Sequence, residues 1–316
     1  MEVVRHPREL AGFRKPAFLA IGVFDGVHIG HQALIEDVVS AARRAGGTSV
    51  VVTFHPHPSV VLLPGREPLL LTTFGEKLAV LKAIGVDVVL AFPFTRALAR
   101  KTARQFVEEL LWAGLHPRSI SVGYNFTFGR GGQGKPDLLK RMGGELGFEV
   151  RVFKPVSFGG LTVSSTVVRR VLGEGRVGLA WNLLGRPYSV TGKVQRGDGL
   201  ATTLGFPTAN VGLPGYKALP LRGVYAVTAK IGSKEFSGVA NLGRRPTFGG
   251  NEDRLEVHLL DFDASIYGEE LEVAFIRWIR SERGFSGPEA LEIQIRQDVK
   301  EARRALAARV KGNRVL

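Results

Sequence analysis

The stretch Gly22-Val23-Phe24-Asp25-Gly26-Val27-His28-Ile29-Gly30-His31 decides the fold of the first half of this chain. It ends an apolar run, Ala17–Phe24 (AFLAIGVF), and leads into a helical pattern from about His31 to Ala45. A glycine-rich turn between a buried strand and a helix is typical of phosphate sites in parallel sheets, because free N–H groups and the helix dipole face the crevice. The stretch therefore predicts an α/β sheet with an anion site at this turn.

The rest of the first half repeats this alternation of strand and helix. Near-continuous Val, Ile and Leu runs separated by helical patterns indicate a parallel sheet that is covered on both faces. Right-handed crossovers make this a doubly wound, Rossmann-like domain. The further predicted strands are Ser49–Phe54, Asp87–Phe92 and Ser119–Val122, and the further predicted helices are Lys77–Ile84 and Ala103–Trp112.

The pattern changes after Leu184-Gly185-Arg186-Pro187, and we place domains at 1–182 and 183–316. Runs that alternate with period two, separated by turn residues, predict a small antiparallel β-barrel. One amphipathic helix, Pro288 to about Val310, follows and is expected to dock on the barrel. The predicted strands are Tyr188–Val194, Val224–Lys230, Glu235–Ala240, Leu255–Leu260 and Leu271–Ile279, and the apolar stripe of the helix is Ile293, Val299, Ala302, Leu306 and Val310.

Composition excludes several classes of protein. The chain has 316 residues, 44% of them hydrophobic, and no cysteine. These values exclude a disordered chain, a disulfide framework, a thiolate zinc site, an iron–sulfur cluster and a cysteine nucleophile. No apolar run approaches the roughly 20 residues of a membrane span, and the N-terminus lacks the apolar core of a signal peptide. We therefore expect a cytoplasmic protein without a membrane partner.

The formal net charge of +14 has three readings: nucleic acid, an acidic membrane surface, or small polyanionic substrates. Both halves of the chain are basic, and neither contains five consecutive like charges. A nucleic-acid binder usually concentrates its basic residues in one patch, arm or helix. We therefore favour small anionic substrates and expect no nucleic-acid partner, while salt-dependent binding of RNA or DNA stays as an alternative.

Two motifs in the first half point to nucleotide phosphates. His28 and His31 lie on one side of the turn, where imidazole donors can stabilise charge on an α-phosphate and on departing pyrophosphate. In Val163–Arg170, Ser165 or Thr166 can cap a helix, and Arg169 can bind a phosphate as a fork. The pair of motifs resembles the nucleotidylyltransferase superfamily, which joins a nucleoside monophosphate to an acceptor phosphate.

Two other features of this half allow alternative interpretations. His55 and His57 make a histidine-only zinc site conceivable, but no supporting carboxylate spacing is present. The stretch Gly129–Pro136 (GRGGQGKP) nearly matches a phosphate-binding P-loop, but Pro136 lacks both a hydroxyl and an N–H. We read it as a mobile loop over a ligand, beside the amide of Asn125 and the aromatic rings of Phe126 and Phe128.

Three polar segments of the second half are candidate site residues. In Leu204–Asn210, Thr208 and Asn210 alternate onto one face and suit Mg²⁺ and triphosphate oxygens. Asn241 belongs to a second polar loop, and Glu256, within a strand, could deprotonate a hydroxyl nucleophile. Each segment taken alone is also explained as a turn or a solvated strand face.

Together these segments resemble the bacterial bifunctional riboflavin kinase/FMN adenylyltransferases, also called FAD synthetases. The resemblance covers nearly the whole chain, with its motifs in order. They are GVFDGVHIGH, TFHPHP (Thr53–Pro58), VGYNFTFG (Val122–Gly129), SSTVVR (Ser164–Arg169), LGRPY (Leu184–Tyr188), LGFPTAN, GVYAV (Gly223–Val227), GVANLGRRPTFGG (Gly238–Gly250) and LEVHLLDFDASIYG (Leu255–Gly268).

The resemblance implies two successive reactions. In the barrel, Glu256 would act as base on the riboflavin 5′-hydroxyl while ATP phosphorylates it; in the Rossmann-like domain, FMN would attack a second ATP to give FAD and pyrophosphate. The implied cofactor is Mg²⁺ at Thr208 and Asn210, and the implied partners are riboflavin, FMN and ATP, with a weak homo-oligomer left open. In the first domain the resemblance implies two sets of residues: for ATP, Gly22, Phe24, Asp25, His28, His31, Ser164, Ser165, Thr166 and Arg169, and for flavin, His57, Asn125, Phe126 and Phe128. In the barrel it implies Gly205, Pro207, Thr208 and Asn210 for ATP, and Asn241, Arg245 and Glu256 for flavin.

Two positions depart from the family pattern. Leu200-Ala201-Thr202-Thr203 stands where the family has glycine and a basic residue that helps to clamp ATP, and Val167 stands where a basic residue is common. An alternative hypothesis follows from the first departure: the barrel only binds flavin, and the chain makes FAD from supplied FMN but not from riboflavin.

Overall fold

A computed structural model of the chain describes residues 1–10, 16–197, 203–247 and 250–310. The side chains at 10, 245–247, 250–252, 309 and 310 are not described. The chain divides into two compact units, Met1–Ser165 and Thr166–Leu316. The functional division at 182/183 stays a prediction, since residues 166–182 belong to the second compact unit. None of the helices in the described part of the chain has both the length and the apolar character of a membrane span.

The first unit is built on a six-stranded parallel sheet in the order β1-β4-β3-β2-β5-β6. Alternate residues of one strand pack on opposite faces: Val50 and Val52 join one buried cluster, and Val51 joins the other. Both faces are covered, so the Rossmann-like fold class is confirmed. The strands are β1 Glu2–Val4, β2 Ala17–Ile21, β3 Thr48–His55, β4 Val88–Pro93, β5 Pro117–Gly123 and β6 Glu149–Phe153.

The helices of this unit begin and end at residues with clear local causes. Helix α3 begins at a capping box between Thr73 and Glu76 and ends at Gly85, whose φ of +91° requires glycine. The helix predicted at Ala103–Trp112 contains a π-helical segment, Phe106–Trp112. The helices of this unit are α1 Ile29–Arg44, α2 Pro58–Leu62, α3 Phe74–Ile84, α4 Arg96–Arg100, α5 Ala103–Gln105, α6 Ala113–Leu115 and α7 Pro136–Leu146. There are also 3₁₀ turns at Pro7–Leu10 and Arg130–Gly132 and a hairpin of β7 Ser157–Phe158 and β8 Leu161–Thr162.

The second unit is a closed barrel in the order β10-β13-β12-β11-β14-β9, in which neighbouring strands are antiparallel. Its interior is filled by large apolar side chains such as Tyr225 and Phe275, whose rings meet edge to face. The barrel prediction is therefore confirmed. The elements are α8 Ser165–Gly173, α9 Val177–Leu184, β9 Tyr188–Gln195, β10 Ala209–Val211, β11 Gly223–Ile231, β12 Lys234–Thr247, β13 Gly250–Leu259, β14 Glu270–Arg280 and α10 Pro288–Val310.

Helix α10 docks on the outside of the barrel, as the sequence predicted. Ala302, Ala305 and Leu306 pack in one cluster with residues of β11 and β12. Buried Asp298 accepts from the guanidinium of Arg280 at 2.7 and 2.9 Å. The inclusion of Ile293 in the docking stripe was wrong: that side chain is 71% exposed, because the contact face begins one turn later, near Asp298.

Candidate active sites

The turn between β2 and α1 has an unusual backbone. Phe24 and Val27 adopt positive φ angles of 52° and 41°, and Gly26 lies at 79°. Left-handed conformations are costly for side chains with a Cβ, so other contacts must hold them. The buried Asp25 carboxylate supplies such contacts by accepting from the backbone N–H groups of Leu71 and Thr72 at 3.0 and 3.2 Å.

A buried lysine supports the same turn. Lys77, on α3, donates from Nζ to the carbonyl of Val23 at 2.8 Å, and Thr53 Oγ1 donates to that carbonyl at 3.1 Å. Burial lowers the pKa of Lys77 to about 8, while Asp25 acts in the opposite direction. The sequence analysis did not select Lys77; a lysine on the otherwise buried side of α3 was the available signal.

The two histidines of the turn form a stacked pair. Their ring centroids lie 3.6 Å apart, and His31 also meets Phe24 edge to face at 5.2 Å. His28 is the N-cap of α1, where its Nδ1 accepts from the backbone N–H of His31 at 3.3 Å. The neutral tautomer of His28 therefore carries its proton on Nε2. His31 Nδ1 is buried and has no hydrogen-bond partner among the described residues.

Burial keeps both imidazoles neutral. It lowers the pKa of His28 to about 4, with Asp25 opposing it, and lowers the pKa of His31 well below its usual range, aided by His28 and Lys77. At neutral pH the pair therefore presents N–H dipoles rather than full charges.

This shift predicts that acid destabilises the first unit. The folded pKa of His28, about 4, lies below the ordinary 6.5, so unfolding takes up a proton between these values. The stability is complete above pH 6.5, and we expect about 2 kcal/mol of it to be lost by pH 5. Urea unfolding followed by hydrogen exchange of peptides from β2, α1 and β3 measures this loss. In His28→Asn, which retains an N-cap, the loss should shrink; an unchanged pH dependence would contradict the assignment.

The structure brings part of the serine-rich motif to this turn. Ser165 donates from Oγ to the backbone carbonyl of Asp25 at 2.9 Å. Half-buried Ser164 precedes it. Thr166 and Arg169, on α8, belong to the second unit, and their part in nucleotide binding stays a prediction.

The remaining candidates of the first unit follow strands beside β2. Asn125 is exposed after β5, and His57 follows β3, where it caps α2 by accepting from Ser59 N at 3.1 Å. Carboxyl ends of neighbouring parallel strands meet at one edge of a sheet, which brings these segments to the edge that carries His28. Phe128 is buried and stacks on half-buried Phe126 at 5.4 Å.

The glycine-rich stretch after Phe128 packs against the unit. A Cβ at Gly129 would collide with the backbone of Ala103, and Phe128 pairs with Gly134 in a β-bridge. Pro136 begins α7, in agreement with the rejection of a P-loop. The interpretation of Gly129–Pro136 as a mobile loop over a ligand stays a prediction.

Three candidate residues of the barrel stand in one row across neighbouring strands. Glu256 on β13 is paired directly with Asn210 on β10 and with Asn241 on β12. Directly opposed residues of antiparallel strands point to the same face, about 5 Å apart. The neighbouring residues on each strand are buried in the barrel, so this polar row lies on its outer face.

The segment before β10 is anchored to the same face. His258, two residues after Glu256, lies 2.8 Å through Nδ1 from the carbonyl of Pro207, and its ring meets Phe206 edge to face. Gly205 has a φ of +85°, which accounts for glycine at this turn. These contacts hold Thr208, which is half-buried and immediately precedes β10.

Sequence reasoning missed two charged neighbours of the row. Arg254 donates from Nε to Asn210 Oδ1 at 2.6 Å and forms an ion pair with Glu256 Oε1 at 2.9 Å. Glu282 lies where a Cβ on Gly243 would be, and burial raises the pKa of its carboxyl. Period-two alternation from Glu256 would have found Arg254. Residues 200–202, which depart from the family pattern, and the side chain of Arg245 lie outside the described residues.

The oxygen donors of the row suit a magnesium ion bound together with nucleotide. Asn210 and Thr208 offer an amide oxygen and a hydroxyl, and Glu256 offers a carboxylate. Within the described ranges, no group of three or more His, Cys, Asp or Glu side chains could hold a metal ion. Mg²⁺ commonly takes only one or two protein ligands, and phosphates and water complete its shell. The residues present therefore fit a magnesium ion whose remaining ligands are phosphate oxygens and water.

Comparison with known proteins matches the two halves of the chain to two different family models. A family model described as FAD synthetase matches residues 11–167, and one described as riboflavin kinase matches residues 184–306. A crystal structure described as that of a macrolide-efflux protein from Streptococcus pneumoniae matches with a TM-score of 0.87 and 30% identity, over 96% of this chain and 99% of that chain. The efflux activity in that protein's name has no counterpart in either family model.

Curated relatives match along most of their length. The bifunctional riboflavin kinase/FMN adenylyltransferase of Escherichia coli K12 is 41% identical over 90% of this chain and 91% of that protein. The protein of the same name from Pseudomonas fluorescens is 40% identical over 98% of both chains. The chain therefore belongs to the bifunctional riboflavin kinase/FMN adenylyltransferase family, with its FAD synthetase half first and its riboflavin kinase half second.

Proposed function

We propose that the polar row on the barrel and the histidine turn of the first unit carry out the two successive reactions of this family. Riboflavin, FMN and ATP are the substrates of these activities. The observation that carries the proposal is the direct pairing of Glu256 with Asn210 and Asn241 across three strands.

In the kinase half, Glu256 takes the proton of the riboflavin 5′-hydroxyl as that oxygen attacks the γ-phosphorus of ATP. The bond to the β-phosphate oxygen breaks, and FMN and ADP leave. Asn241 and Arg245 position the flavin, and Gly205 and Pro207 shape the loop beside the nucleotide. Thr208 and Asn210 would hold Mg²⁺, which would supply positive charge to the phosphates when bound.

In the adenylyltransferase half, a phosphate oxygen of FMN attacks the α-phosphorus of a second ATP, and pyrophosphate leaves. His28 donates from Nε2 to the phosphates, and His31 donates beside it. Gly22, Phe24 and Asp25 hold the turn in place. Ser164, Ser165, Thr166 and Arg169 bind phosphate, while His57, Asn125 and Phe126 face the flavin and Phe128 supports Phe126.

A time course tests the proposal. Purified protein with riboflavin, ATP and Mg²⁺ should form FMN first and FAD after a lag, as separated by chromatography. Excess EDTA should abolish both products, because ATP then lacks its metal ion. FAD from supplied FMN but none from riboflavin would instead support the alternative hypothesis of a barrel that only binds flavin. Absence of both products would contradict the proposal.

A further inference from the structure

Arg254 joins the two residues on which the proposed kinase reaction depends. Its guanidinium contacts the amide oxygen of Asn210 at 2.6 Å and the carboxylate of Glu256 at 2.9 Å. Arg254 and Glu256 are both about three-quarters shielded from water, so the ion pair is stronger than one on an open surface. The side chain of Arg254 therefore links β13 to β10 at the polar row.

The side-chain oxygens of Asn210 and Glu256 can still bind substrate or metal while they contact Arg254. An amide oxygen has two lone pairs, so Asn210 Oδ1 can accept from Arg254 and still ligate a metal ion. The ion pair uses Oε1 of Glu256, and the second carboxylate oxygen can accept a proton from a hydroxyl.

The stretch of sequence from 197 to 204 carries no positive charge. Residues 197–204 read GDGLATTL, without lysine or arginine. Its first residue, Gly197, lies against the row: a Cβ there would collide with Asn210 and lie 2.8 Å from a guanidinium nitrogen of Arg254. Transfer of a phosphoryl group needs positive charge close to the phosphate oxygens. Arg254 places a positive charge beside Gly197, Asn210 and Glu256.

We propose that Arg254 is a nucleotide-binding and positioning residue of the kinase site: it holds Asn210 and Glu256 in place and binds a phosphate oxygen of ATP. This inference rests on the proposed function of the polar row. It assigns to a strand residue the positive charge that residues 197–204 lack.

The test compares Arg254→Gln and Arg254→Lys with a matched control, Arg303→Gln, which breaks an exposed ion pair with Asp261 in the same unit. Riboflavin kinase kinetics should show the KM for ATP raised about 10- to 100-fold in Arg254→Gln, because a charge-assisted hydrogen bond to phosphate is lost. The KM for riboflavin should change by less than about twofold. Arg254→Lys should recover part of the ATP effect, since it keeps the charge but not the fork.

Three results overturn or separate the claims. A KM for ATP within about twofold of the original in Arg254→Gln would reduce Arg254 to a structural ion pair. Equal changes in the KM values for ATP and riboflavin in Arg254→Gln, together with a lower Tm, would also show that Arg254 has only a structural role. Glu256→Gln is assayed in parallel: if it still makes FMN, the proposed function fails, whereas an inactive Glu256→Gln beside a normal Arg254→Gln overturns only this inference. FAD formation from FMN verifies that each preparation is intact.

Discussion

The Glu256→Gln protein should make almost no FMN from riboflavin and ATP. Glutamine keeps the size of the side chain and its place between Asn210 and Asn241, but it cannot accept a proton from the riboflavin hydroxyl. Loss of a general base typically costs 10²- to 10⁴-fold in rate, and we expect kcat for the kinase reaction to fall by about that factor. Chromatography of riboflavin and FMN in timed samples measures it.

The same preparation contains its own control. Conversion of supplied FMN to FAD should proceed at the original rate, because Glu256 lies in the barrel and the histidine turn lies in the other unit. Kinase activity near the original level in Glu256→Gln would rule out Glu256 as the base. Loss of both activities in a folded protein would contradict the assignment of the two reactions to two separate sites.

His28→Ala should have the opposite pattern, with FAD formation lost and FMN formation kept. Removal of one donor to developing negative charge costs about 10²- to 10³-fold in kcat, and His28→Ala also removes the N-cap of α1. His28→Asn separates these effects, because asparagine is a good N-cap but cannot place a donor where His28 Nε2 stands. We expect both variants to lose FAD formation, measured with FMN, ATP and Mg²⁺.

The matched control is His116→Asn. His116 also lies in the first unit, has a positive φ of 40° that asparagine tolerates, and contacts Trp112 rather than the turn. It should form FAD at the original rate. Full FAD formation in His28→Asn would mean that His28 acts only as a helix cap.

The fold could be predicted from the sequence because its signals are local and repeated. Continuous apolar runs such as Ser49–Phe54 (SVVVTF) are typical of strands with both faces buried, and the structure extends that strand to Thr48–His55. Short β10, Ala209–Val211, was not selected as a strand, because three residues carry no period. Its place in the barrel depends on pairing with β13, a contact between distant parts of the chain.

The candidate sites could be predicted in part, because a motif identifies residue types but not their contacts. The nucleotide-binding role of Asp25 stays a prediction, but the acceptance of hydrogen bonds by its carboxylate from Leu71 and Thr72, more than 40 residues away, could not be predicted. The flavin contact of Phe128 also stays a prediction, and the burial of its ring against Phe126 could not be read from the motif. Arg254 lies beside Glu256 only because strand register places alternate residues on one face. These contacts depend on tertiary packing, which no single segment contains.

The position of the polar row on the outer face of the barrel affects how readily each half tolerates substitutions during evolution. Because Asn210, Asn241 and Glu256 leave the barrel interior to apolar side chains, substitutions there should alter turnover while leaving the folding core intact. The turn of the first unit differs, since Asp25, His28 and Lys77 are buried and maintain its backbone. Drift or directed evolution should therefore retune the kinase half readily, whereas the adenylyltransferase half should tolerate few replacements without a loss of soluble protein.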